Sequence, residues 1–125
     1  GEGVVERAII GKANPAESID AGKLAWTHGF HVRRLDLAPG GALAHHSRSE
    51  EEVVYVHQGQ LTYEWGQEQL VLEAGDVLTV PIGLAHGFRN VSDEPAVVYV
   101  VRGGDTPSAP QWAADKPSRS DRMAG

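Results

Sequence analysis

GGALAHHSRSEEEVVYVHQG, residues 40–59, and GDVLTVPIGLAHGFRN, residues 75–90, are the two stretches on which the reading of this chain turns. In the first, Gly40 is followed after five residues by His46, then Ser47 and Arg48; three intervening residues lead to Glu52, and six more intervene before Gly59. The second runs Gly75, five residues, Pro81, Ile82, Gly83, two residues, His86, three residues, Asn90. Alternate side chains of a strand share a face, so His46 and Arg48 point the same way. Glu52 opens the next strand and His86 arrives from the second stretch. Two imidazoles and one carboxylate suffice for the facial donor set that non-haem Fe(II) enzymes use, with positions left open.

The paired spacings resemble the cupin family. Its first motif has the same spacing with a second His where Arg48 stands, and its second is matched at Gly75, Pro81, Gly83, His86 and Asn90. The resemblance covers roughly residues 27 to 103. It implies an all-β, cupin-like β-barrel of the double-stranded β-helix or jelly-roll type, with a pocket for a small-molecule ligand. It also implies that a divalent transition metal (Fe, Mn, Zn or Ni) is held by His46, Glu52 and His86. In cupins that bind metal the fourth ligand is the second His of the first motif; here a guanidinium stands there, with no lone pair to give.

Cupins include dioxygenases, isomerases, decarboxylases, sugar-binding regulators and storage proteins, so the resemblance does not set the reaction. Two readings stay open. One is a metal-dependent enzyme of dioxygenase or isomerase type on a small organic acid, whose carboxylate is bound by Arg33 or Arg48. The other is a non-catalytic binding or structural module, one half of a two-barrel protein for instance, whose metal site is degenerate at Arg48. Arg48 itself either turns away from a metal or fills the vacated space in a forked pair with Glu52.

Composition agrees with a small β domain. At 125 residues the chain has room for one domain, 1–125, with the barrel over about 27–103 and a tail over 104–125. Fifteen Gly and seven Pro, with Val and Leu in short runs, suit many turns joining short strands. A net charge of −6 without a basic cluster excludes a phosphate-backbone partner, so neither nucleic acid nor an anionic membrane is expected. The longest apolar run, Ala96 to Val101, falls far short of the ~20 residues of a membrane helix, and no signal segment opens the chain. Zero cysteines fit a reducing, cytoplasmic setting. A start at Gly1 rather than Met fits either an expression remnant or a domain cut from a longer polypeptide.

Strands are expected at Val4–Ile10, Phe30–Leu37, Glu52–Val56, Leu61–Trp65, Gln69–Leu72, Val77–Val80, Gly87–Asn90 and Ala96–Arg102, with a Gln58-Gly59 turn joining the third and fourth. Asn14–Trp26 reads as loop with at most one helical turn. About eight short strands with Gly-rich turns suit a closed barrel or jelly roll. Beyond Gly103 periodicity is lost, and Trp112 is expected to anchor the tail to the barrel. The apolar strand Val4–Ile10 would be a pairing liability if left open, and a homodimer is expected.

Other polar positions follow from parity. His31 and Arg33 share a face with Leu35 and Leu37, so both are candidates for substrate contact alongside Arg48. His45 should face outward unless a bulge exchanges it with His46. His57 belongs to the outer face, and His28 lies in a loop segment without signal. Leu61, Tyr63 and Trp65 share one face as core packing. No phosphate-binding loop leads a strand into a helix, and no Ser-His-Asp triad is supported by spacing. Imidazole ligands with ordinary pKa values near ~6.5 would release a metal between about pH 7 and 5.

Overall fold

The computed structural model describes residues 3–10, 29–104 and 109–113. The strands are β1 (Val4–Ile10), β2 (Phe30–Leu37), β3 (Ala42–Ser47), β4 (Glu52–Gln58), β5 (Gln60–Trp65), β6 (Glu68–Glu73), β7 (Val77–Val80), β8 (His86–Arg89), β9 (Ala96–Gly103) and β10 (Gln111–Trp112). All pairings are antiparallel, in two sheets of order β1-β2-β9-β4-β7 and β10-β3-β8-β5-β6. No helix occurs among the described residues.

The expected strands are all present to within one or two residues at their ends, β8 being shifted as a whole by one residue toward the N-terminus. Two more were not among the eight. β3 carries the first half of motif one, and β10 lies inside the stretch read as tail. Of the remaining sequence expectations, the loop at Asn14–Trp26 and His28 lie outside the described residues.

The period-two pattern explains which side chains go inward. In β4 Glu52, Val54 and Val56 are buried while Val53, Tyr55 and His57 are exposed. Beneath the ends of the strands the interior is hydrocarbon. Leu35 pairs across β9 with Val98, which pairs with Val56, and Leu37 pairs with Ala96. Val54, Val56 and Val98 are wholly buried, and each contributes roughly 1.5–3 kcal/mol by leaving water. In the second sheet Leu61 faces Leu72, and Leu43, Phe88 and Tyr63 form the next row.

At one end both sheets change character. Across the first sheet the last inward row reads His31, Arg102, Glu52, Val80, with Arg33 in the row below. Across the second it reads Trp112, His46, His86, Trp65. The opposite end is tied by Asn90, wholly buried, whose Nδ2 donates to Leu37 O (3.2 Å) and Glu94 O (2.7 Å) while its Oδ1 accepts from Ser92 N. The motif asparagine is thus a turn-holding residue, distant from the polar row. Gly59 turns β4 into β5 at φ +82°, and a Cβ there would lie 2.5 Å from Pro95 O.

Candidate metal centre

β3 and β8 begin in ordinary register, Ala42 against Arg89 and Leu43 against Phe88, and regular pairing would then set His45 opposite His86. Instead His46 pairs with His86, because β3 carries one extra residue between Leu43 and His46. This bulge is what turns His46 inward, where it is 1% exposed. Gly87 makes room for it, since a Cβ there would stand 3.0 Å from both the His45 ring and Leu43 O. His46 is the inward histidine, as expected, and the bulge that sequence reading held as the exception is present and selects it over His45.

Candidate ligand atoms of His46, Glu52 and His86 all lie within 4.8 Å of one another, and all three residues are buried. Both imidazoles are aimed by the backbone. Nδ1–H of His46 donates to Ala44 O at 2.9 Å, and Nδ1–H of His86 to Leu84 O at 2.8 Å. A carbonyl can only accept, so each ring carries a proton on Nδ1 and turns Nε2 to the pocket, the arrangement by which proteins orient metal-ligating histidines. His86 Nε2 lies 3.1 Å from Glu52 Oε1.

Electrostatics sharpen the centre. Burial pushes His46 down to about 4, so its ring is neutral and able to ligate throughout the physiological range. Burial alone would raise Glu52, but hydrogen bonds from His86 and Arg102, together with their charges, outweigh it and hold the carboxyl at about 2. The donor set therefore fits a divalent ion: a neutral His46 imidazole, the His86 ring and one ionised carboxylate converge.

The substrate candidates stand around this set. Arg48 lines the same recess, with Nε 3.7 Å from Glu52 Oε2 and its side chain 11% exposed. It neither turns away nor makes the forked pair at hydrogen-bond distance. Burial and the Arg102 charge lower its proton affinity from the ordinary guanidinium value. Arg33 is fully buried in the row below, 3.8 Å from Glu6. His31 is equally buried; its Nδ1–H donates to Gly104 O at 2.8 Å, its Nε2 finds no hydrogen-bond partner among the described residues, and burial lowers its pKa. The enclosed part of the recess is narrow, with a cavity volume of about 10 Å³, room for about one water, and it opens outward to solvent.

The residue that sequence reading missed is Arg102. Its Nη1 donates to Glu52 Oε2 at 2.7 Å and its Nε lies 3.6 Å from Glu50. The available signal was parity, since Arg102 continues the inward series Ala96, Val98, Val100. Trp112 does tie its segment to the barrel, through β10, and also places its indole 5.2 Å from the His46 ring. Tyr63 is core, as its face predicted, and borders His86 at 5.7 Å between ring centres.

The family model for the cupin domain matches residues 33–102. Germin-like protein 5-1 of Oryza sativa subsp. japonica is 35% identical over 100 residues, 74% of this chain and 43% of that protein. Polyketide synthase CurC of Streptomyces cyaneus is 34% identical over 88 residues, 68% of this chain and 57% of that one. The chain thus spans about half the length of these relatives. Among solved structures, a cupin 2 domain-containing protein from Halorhodospira halophila superposes with a TM-score of 0.76 at 20% identity, over 98% of this chain and 77% of that chain. TT1209 from Thermus thermophilus gives 0.57 at 30% identity, over 60% and 72%.

Proposed function

Since the chain belongs to the cupin family, we propose that it holds a divalent transition metal at His46, Glu52 and His86 and acts there on a small organic acid. The convergence of the three donors within 4.8 Å is the observation that carries this reading. A bound transition metal would supply Lewis-acid or redox chemistry with coordination positions open to a ligand.

The chain's own residues supply the rest. Ala44 O and Leu84 O fix the two imidazoles, and Arg102 holds one Glu52 oxygen and so leaves Oε1 facing His86. Arg48 stands where the family carries its further ligand, and its place on the lining of the recess supports a role for its guanidinium in taking the acid's carboxylate. The buried, neutral His31 offers Nε2 as an acceptor at the edge of the same row.

Elemental analysis of protein purified without added metal, then loaded with zinc, tests this. About one metal per chain is expected, falling well below that in His46→Ala and His86→Ala. Failure of the native chain to load any divalent metal sinks the reading. A second reading, a binding module without metal, rests on Glu52 being satisfied already by Arg102 at 2.7 Å and His86 at 3.1 Å; that failure would leave it standing.

Pairing of two copies along β1 belongs to the same proposal, because β1 is a sheet edge that exposes Val5 and Ile9. A constant monomer mass in light scattering over a wide concentration range would remove it.

A further inference from the structure

The two sheets present unlike walls to the mouth of the barrel. The first contributes two cations, Arg102 in the row of Glu52 and Arg33 in the row beneath, and Arg48, one residue past β3, adds a third on the recess. The second contributes rings. Trp112, His46, His86 and Trp65 are successive cross-strand partners, so their side chains stand on one face. His46 lies 4.6 Å from His86 and 5.2 Å from Trp112, and Tyr63 lies 5.2 Å from Trp65, between ring centres.

Trp112 differs from the other rings of this row. Its partner His46 is 1% exposed, yet the indole itself is 53% exposed. An indole left half in water beside a buried ionic centre offers a flat apolar surface to whatever enters.

Charge narrows the class further. The described ion pairs around the recess balance, with Arg33, Arg48 and Arg102 set against Glu6, Glu50 and Glu52. A divalent ion on neutral imidazoles would leave that set in positive excess, which favours an anionic ligand.

Resting on the metal-site reading above, we propose that the acid taken at this mouth is a planar, conjugated oxyanion of the aryl carboxylate class. Its ring lies against Trp112 and its acid group turns toward Arg48 and Arg102. Aliphatic acids of equal charge and similar size lack the face that Trp112 complements.

Benzoate and cyclohexanecarboxylate make the test, since they match in charge and nearly in size and differ in having a π face. The zinc-loaded chain is titrated with each by calorimetry, with the tryptophan indole N–H signals followed by NMR. Benzoate is expected to bind about three- to tenfold tighter, the range that aromatic pairing supports, and to shift the Trp112 indole signal selectively. In Trp112→Leu the ratio should fall to near one, and in Trp112→Phe it should be retained. Equal affinities in the native chain, a ratio unchanged by Trp112→Leu, or no binding of either acid at millimolar concentration would each overturn the proposal. Zinc content is measured on the same samples. A chain that takes no zinc defeats the metal site, and the same ratio read on metal-free protein then decides the ring preference separately.

Discussion

Arg102→Met in the metal-free protein isolates the strongest ionic contact of the centre, because methionine keeps much of the buried stem and removes only the guanidinium. Glu52 is held at about 2 against an ordinary 4.5, and at about 1.4 kcal/mol per pKa unit the favourable partners exceed the burial penalty by roughly 3 kcal/mol. Arg102 supplies the shortest of these contacts, at 2.7 Å, with both side chains at most 4% exposed. Breaking a buried pair costs about 3–5 kcal/mol; His86 stays on Glu52 and softens the loss, so a cost of about 3 kcal/mol is expected. In urea this lowers the unfolding midpoint by about 1–2 M at a slope typical of a small domain. Arg48→Met, whose contact with Glu52 is longer at 3.7 Å, should cost less than Arg102→Met. The sign of the pH effect follows from the depressed carboxyl: its contribution is full above about pH 4.5 and is lost as pH falls toward 2, so the variant should show a flatter acid limb. An Arg102→Met cost below about 1 kcal/mol, or a larger cost for Arg48→Met, would refute the assignment of Arg102 as principal partner.

Three further outcomes follow from the same geometry. His46 is lowered from 6.5 to about 4 by burial, so the unfolded chain takes up its proton first and the metal-free protein should lose stability by roughly 3 kcal/mol as pH falls from 6.5 to 4; a flat urea midpoint over that range in the native chain, matched by His46→Gln, would contradict it. Arg48→His adds an imidazole two residues from His46 and removes a positive charge, and zinc affinity by competition with a chelating dye should rise at least about tenfold; unchanged affinity would show that position 48 cannot reach the metal. Gly87→Ala pushes a methyl against the His45 ring and Leu43 O, so zinc affinity should fall about tenfold or more while the circular dichroism of the sheets persists; native-like affinity would mean that the bulge does not depend on Gly87.

The sequence discloses the centre where type and spacing coincide. His46, Glu52 and His86 are legible because the spacing of the two motifs singles out each of them, and for Glu52 the alternation of β4 agrees. β3 is hard to see as a strand because its bulge breaks the alternation by which strands are recognised, leaving Ala42 to His46 without a clean period. Arg102 is obscured for another reason: an arginine at the end of an apolar strand ordinarily reads as the residue that meets solvent, which outweighs its parity with Val98 and Val100, and its pairing with both His31 and Glu52 fixes the interior place. The paired two-residue strand β10 carries no periodicity at all, so the position of Trp112 beside His46 depends on tertiary contact alone.

The layering of the interior separates what the protein can change from what it must keep. Ionic and ring-bearing side chains occupy the terminal rows of both sheets, and the rows of Leu35, Val98 and Val56 beneath them are hydrocarbon. Exchanging an arginine or an indole at the rim alters which guest is welcomed while the packed valines continue to hold the sheets together. A lineage built on this barrel can therefore explore new chemistry by rewriting a few rim positions, with its folding carried by the packed rows beneath them.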